Sequence, residues 1–121
     1  MIPALTLLAL LQAADSGPSF NGIAHQLHVR LPRIDTTVTV DGILDEPVWQ
    51  RAARLVGFSQ YQPVDSRPAE EPTEVLVWYS ATAIYFGIRA REIHGDLVHA
   101  THADRDNIGA DDYVQILLDT Y

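Results

Sequence analysis

The sequence predicts an all-β fold, an incomplete antiparallel β-sandwich of the jelly-roll kind with one short helix. Short segments rich in β-branched and aromatic residues recur along the chain, and no long helix separates them. The two central segments carry apolar residues at both odd and even positions, so both faces of their sheet are partly apolar. A second sheet packed against the first would cover such a surface.

The first predicted strand, Thr36–Val40, is β-branched throughout and runs into a turn at Asp41–Gly42. Asp45 then has the position and chemistry of a helix N-cap. The helix is predicted from residue 46 to about residue 54, with apolar residues on one face. We expect Trp49 to anchor that face in the core, over one end of the sheet.

A hairpin is the clearest feature of the sequence. Its strands are predicted at Thr73–Tyr79 and Ala83–Arg91, joined by the short link Ser80–Thr82. Phe86 lies on an apolar face of the second strand and is predicted to be a core residue. A last strand is predicted at Tyr113–Leu118, where its apolar side chains would form an unprotected edge.

The chain is predicted to consist of three segments. Residues 1–14 contain an apolar run too short to span a bilayer, followed by small and polar residues, which predicts a signal peptide and therefore export. The alternative is a buried strand or helix. Residues 15–33 are predicted to be an extended leader, with an edge strand at His25–Arg30. Residues 34–121 are predicted to be the N-terminal part of the sandwich, with partner strands downstream.

The charge balance restricts the possible partners. The chain has 8 basic residues, all of them Arg, against 16 acidic residues, for a formal net charge of -8. This balance disfavours nucleic acid and anionic membrane surfaces as partners and leaves neutral or cationic ligands open. The sequence contains no Cys, which excludes disulfides and thiolate metal sites.

Three blocks of sequence occur in a familiar order: residues 38–49, residues 84–90 and residues 111–119. Together they resemble the carbohydrate-binding module family 9-like domain, a β-sandwich. With Phe58–Gln60 and Arg105–Asp106, the chain is similar to the variant that heads long bacterial proteins with a predicted outer-membrane β-barrel. The resemblance covers about residue 34 to residue 121 and implies the N-terminal part of such a domain.

The resemblance also implies where a sugar would bind. In the family, a pair of Trp side chains stacks on the sugar and an acidic residue binds its hydroxyl groups. Gly109 stands at one of those Trp positions and Gln115 at the acidic position. Arg89 and Gln115 can bind hydroxyl groups, and Trp78 and Tyr113 can stack on a sugar ring, although Trp78 is as consistent with a core position.

The first functional hypothesis is therefore a non-catalytic carbohydrate-binding module of an exported bacterial protein, within a glycan-degrading or glycan-uptake system. Its ligand would be a polysaccharide or oligosaccharide. The second is a structural or interaction domain of an outer-membrane protein, partnered by a barrel of the same parent chain. The third, part of a glycoside hydrolase, is the weakest, because the sequence does not place two carboxylates across a cleft.

A calcium site is a further hypothesis for the acidic segment near the end of the sequence. Hard cations bind clustered carboxylate oxygens, and this segment contains Asp104, Asp106, Asp111 and Asp112. The EF-hand pattern fails because Ile108 occupies a ligand position. The alternative is a solvated acidic loop. His94, His99 and His102 lack the spacing of a helical zinc site.

Overall fold

The computed structural model describes residues 16–93 and 112–121. These residues form one four-stranded sheet and one short helix, which confirms the mainly-β prediction. The elements are β1 (Ser19–Asn21), α1 (Val48–Arg51), β2 (Ala53–Val56), β3 (Thr73–Tyr79) and β4 (Ile84–Ala90), and the sheet order is β1-β2-β3-β4. The described residues contain a single sheet, so the sandwich stays a prediction.

The predicted hairpin is confirmed as β3 and β4. The strands pair antiparallel, with Thr73 opposite Ala90 and Tyr79 opposite Ile84. The amide of Ser80 donates to the carbonyl of Ala83 at 2.8 Å and closes the turn. The link comprises residues 80–83, one residue more than predicted, and it sets a register that brings every even-numbered residue of β3 opposite an odd-numbered residue of β4.

The core lies on one face of this sheet, which we call the helix face. Leu76 and Trp78 of β3 point to it and pack against residues of the chain that crosses that face. The buried cluster consists of Ile34, Val48, Trp49, Ala52, Leu76 and Trp78, with Val38, Leu44 and Tyr85 packed against it. Phe86 lies on the opposite face and is 36% exposed, so its prediction as a core residue was wrong.

Two Trp side chains dominate the core, as predicted for Trp49. The rings of Trp49 and Trp78 meet edge to face at 6.0 Å, and Tyr85 stacks on Trp78 at 4.0 Å. The indole Nε1 of Trp49 donates to the carboxylate of Glu46 at 2.9 Å. Such aromatic contacts add to the free energy gained by burying the rings, and the hydrogen bond fixes the orientation of the Trp49 indole.

The helix is shorter than predicted. It begins at Val48 and ends at Arg51, and Ala53–Val56, predicted to include its last turn, is strand β2. The prediction of Asp45 as the N-cap was also wrong, because Pro47 holds that position and no side chain caps the helix. Pairing with a strand on each side stabilises the extended form of residues 53–56 more than a further helical turn would.

The turn at Asp41–Gly42 is confirmed. Gly42 has a φ of 82°, in the left-handed region, and the Asp41 carboxylate accepts the amide of Ile43 at 2.9 Å. The strand predicted before this turn, at Thr36–Val40, is absent. Its backbone bonds locally instead, because the amide of Thr39 donates to the Glu46 carboxylate at 3.1 Å. Strand propensity alone therefore does not make residues 36–40 a strand, because a strand also needs backbone pairing with another strand.

Three further expectations fail in the described residues. The sheet is mixed and not purely antiparallel, because β1 pairs parallel with β2. The leader therefore supplies a strand, but at Ser19–Asn21 and not at His25–Arg30, which follows a turn at residues 22–25. Tyr113–Leu118 forms no strand and is exposed. The apolar residues of this segment are not sufficient to form a strand, because the segment does not pair with another strand.

Candidate functional site

Three charged side chains meet at the polar end of the helix face. In the sheet register, Arg54 of β2 lies opposite Leu76, and Glu74 of β3 lies opposite Arg89 of β4. Paired residues share a face, so the Arg54, Glu74 and Arg89 side chains all project from the helix face. We call these three residues the arginine–glutamate cluster.

Glu74 is the centre of the cluster. One carboxylate oxygen accepts from Nε of Arg54, and the other accepts from Nη1 of Arg89 at 3.3 Å. The side chain of Glu74 is 21% exposed, against 50% for Arg54 and 39% for Arg89. Arg89 also donates from Nη2 to the carbonyl of Leu44 at 3.3 Å, which ties the cluster to the chain that covers the core.

The hydrogen bond from Arg54 is the main cause that lowers the pKa of Glu74 below its ordinary value. Burial of the carboxylate acts in the opposite direction, and the charges of both guanidinium groups and the bond from Arg89 lower the pKa further. Glu74 is therefore held ionised. It accepts hydrogen bonds readily and is a poor proton donor.

A cleft of about 510 Å³ lies on one side of the cluster, and we call it the Phe58 cleft. Arg54, Glu74 and Arg89 form part of its wall, and Phe58, which is 40% exposed, lines the same cleft. Its remaining lining mixes apolar and charged side chains: Ile23, Val56, Gly57, Pro68, Ala69, Glu71, Pro72, Thr73 and Arg91. The cleft thus combines an aromatic surface with hydrogen-bonding groups of both signs.

Local backbone bonds hold Phe58 in place. Gly57 has a φ of 67° and turns the chain directly after β2. The carbonyl of Phe58 accepts the amide of Ala69 at 3.0 Å, and the amide of Gln60 donates to the carbonyl of Arg67 at 2.7 Å. The loop that follows β2 is therefore closed on itself, which fixes the position of the Phe58 backbone beside the cleft.

A second cleft of about 430 Å³ borders the other side of the cluster. It is lined by the same three charged residues and by residues of the covering chain, among them Asp45, Glu46 and Gln50. Trp49 forms part of its floor but is only 7% exposed. This second cleft therefore offers polar groups without an exposed aromatic surface.

The structure brings only one of the predicted ligand-binding residues into this site. Arg89 belongs to the cluster, whereas Trp78 is 0% exposed beneath Tyr85 and has no surface on which a sugar could stack. Tyr113 and Gln115 are exposed residues of a segment without secondary structure, and neither lines the two clefts.

The predicted calcium ligands Asp104, Asp106 and Asp111 lie outside the described residues, as does Gly109. Asp112 is described and exposed. Within the described ranges, no group of three or more His, Asp or Glu side chains could hold a metal ion. The calcium site therefore stays a prediction.

Sequence reasoning missed Arg54, Glu74 and Phe58 as site residues. Arg54 falls at the end of the predicted helix, whereas in the structure it belongs to strand β2. Glu74 and Arg89 have opposite charges on the two hairpin strands, so a two-residue turn at residues 81–82 would have placed them opposite each other. For Phe58, its position beside Gly57 was the available signal.

No protein-family model, curated protein or solved structure matches this chain. In the part of the chain that the structure describes, no helix has the length and apolar content needed to cross a bilayer.

Proposed function

We propose that this chain is a non-catalytic carbohydrate-binding module of an exported protein, serving glycan degradation or glycan uptake. The observation that carries the proposal is that Phe58, a partly exposed aromatic residue, lines the same cleft as the ionised arginine–glutamate cluster. The ligand is an oligosaccharide or a segment of a polysaccharide.

The cleft chemistry supports an uncharged, hydroxyl-rich ligand. An aromatic ring packs well against the C–H faces of a pyranose, and guanidinium and carboxylate groups bind hydroxyls as donors and acceptors. Charged groups of both signs line the cleft, so neither an anion nor a cation is strongly preferred. Apolar walls with a few polar groups are typical of small-molecule sites.

The electrostatics of Glu74 favour binding over hydrolysis. A glycoside hydrolase needs a carboxylic acid whose pKa is raised so that it can protonate the leaving group. The pKa of Glu74 is shifted in the opposite direction by Arg54 and Arg89. A role in a glycoside hydrolase therefore remains the weakest of the three functions.

The burial of Trp78 favours the second candidate, a structural or interaction domain of an outer-membrane protein that binds no sugar. The two candidates differ in one property, which is affinity of the Phe58 cleft for saccharides. A binding measurement on the whole chain separates them.

The experiment is calorimetric titration of the full chain with xylo- and cello-oligosaccharides. Phe58→Ala should weaken binding at least about tenfold, which corresponds to about 1.4 kcal/mol of binding free energy. Tyr61→Ala is the matched control, because Tyr61 is a 79% exposed aromatic residue of the same loop and does not line the cleft. Absence of binding to every saccharide, or equal affinity of the two variants, would overturn the proposal.

A further inference from the structure

Strand β4 is the last strand of the sheet, and its outer edge is free in the described residues. Two backbone hydrogen bonds flank the hairpin pairing: the amide of Ser80 donates to the carbonyl of Ala83, and the amide of Arg91 donates to the carbonyl of Pro72. They show which residues of β4 form hydrogen bonds with β3. Because bonding alternates along an antiparallel pair, the amides and carbonyls of Ile84, Phe86 and Ile88 point away from β3. No described residue bonds to them.

The same residues carry the apolar side chains of this edge. Ile84 is 50% exposed and Phe86 is 36% exposed. Native proteins usually protect an edge with charged side chains, Pro or a bulge. Strand β4 contains no Pro and pairs with β3 without a bulge, and its one charged residue, Arg89, bonds to Glu74 of β3. Such an edge is a template for another strand.

The outward-pointing residues of the edge, Ile84, Phe86 and Ile88, are symmetric about Phe86, whereas Tyr85 and Gly87 between them differ. An antiparallel copy centred on Phe86 would therefore place each Ile opposite an Ile. We propose that β4 pairs with β4 of a second copy of this chain, forming a two-fold dimer with a continuous sheet. The three outward residues of each copy would exchange about six hydrogen bonds.

The side-chain pairs across this two-fold are compatible. Tyr85 would lie opposite Gly87 of the second copy, which leaves room for the ring that stacks on Trp78. Arg89 would lie opposite Ala83, so no residue of β4 would face a like charge. Self-complementarity of this kind is what an isologous interface requires, and it favours a second copy over an unrelated strand.

A loop beside β4 would enlarge the contact. Val40 is 92% exposed and Ile43 is 58% exposed, and both line, with β4, a cavity of about 280 Å³. These side chains extend the apolar surface of the edge strand. Phe58 and Glu74 lie outside this interface, whereas Arg89 of β4 also lines the Phe58 cleft. The dimer is tested without saccharide, so its outcome does not depend on the carbohydrate proposal.

Sedimentation velocity of the full chain over a range of concentrations tests the proposal. We expect a monomer–dimer equilibrium that Phe86→Lys weakens at least tenfold, because a charge would be desolvated at the two-fold axis. Leu27→Lys is the control, since Leu27 is 71% exposed and outside β4, and it should leave the equilibrium unchanged. A second variant, Ile84→Lys, should act like Phe86→Lys, and circular dichroism checks that each variant is folded.

A second readout uses the absence of Cys from the sequence. A nitroxide attached to Phe86→Cys should show strong dipolar broadening between two copies, and the same label at Leu27→Cys should show less. A chain that stays monomeric, association that Phe86→Lys and Leu27→Lys affect equally, or equal broadening at the two positions would overturn the proposal.

Discussion

Replacement of Glu74 by Gln tests whether the arginine–glutamate cluster stabilises the sheet through charge. The substitution keeps the shape of the side chain and removes the negative charge that two guanidinium groups share. Both Arg side chains are half-exposed, so each pair contributes up to about 1 kcal/mol. We therefore expect a loss of about 1–2 kcal/mol of unfolding free energy at neutral pH.

The contribution of Glu74 to the unfolding free energy should depend on pH. The folded-state pKa of Glu74 is lowered, mainly by Arg54, so the contribution of the carboxylate is complete above the ordinary pKa of a glutamate. It is lost as the pH falls through the lowered pKa of the folded state. The wild type and Glu74→Gln should therefore differ at neutral pH and converge in acid.

Urea unfolding at several pH values measures this difference. Asp45→Asn is the control, because it removes one negative charge from an exposed side chain for which the described structure shows no hydrogen bond or ion pair. Its effect on the unfolding free energy should be small at all pH values. A gap between wild type and Glu74→Gln that persists unchanged in acid, or an equal loss in Asp45→Asn, would refute the reasoning.

Two glycine substitutions should destabilise the chain for different reasons. In Gly87→Ala, the new methyl carbon would lie 2.8 Å from Cζ3 of Trp49 and 2.9 Å from Cδ1 of Leu44, so overpacking should cost about 1–3 kcal/mol and change the near-ultraviolet circular dichroism of the Trp pair. In Gly42→Ala, no atom lies within 4 Å, so only the left-handed backbone is strained, at about 1–2 kcal/mol. Gly42→Asn should lose less stability than Gly42→Ala, because Asn adopts the left-handed conformation more readily. Thermal unfolding of the two variants measures this difference, and an equal loss of stability would contradict the explanation.

Local sequence was sufficient where neighbours along the chain make the structure. The β3–β4 hairpin was predicted because its two strands are consecutive and joined by a short turn, and the Asp41–Gly42 turn because Asp41 bonds to Ile43 two residues away. Local sequence was insufficient at Ala53–Val56, whose strand form depends on pairing with β1 and β3. It was also insufficient at Thr36–Val40, which has strand propensity but pairs with no strand. Propensity is a weak signal wherever a distant partner decides the outcome.

The candidate site shows the same division. Arg89 was predicted as a site residue from its strand and chemistry, but its partners come from β2 and β3 and from Leu44. The sequence did not decide whether Trp78 is a core or a surface residue. The alternation of side chains along a strand defines two faces of the sheet but does not show which face is covered. The chain that crosses the helix face buries Trp78, and the loop after Gly57 brings Phe58 to the cleft instead.

The sequence by itself determined that this chain is mainly β, that a hairpin lies at its centre and that Trp49 is buried, because these follow from short-range patterns and hydrophobicity. Only the tertiary structure decided which sheet face is the core, which charges meet at Glu74 and which strands lie at the edges of the described sheet. These properties depend on contacts between residues far apart in the chain, and their pairing is set by packing that local patterns do not contain.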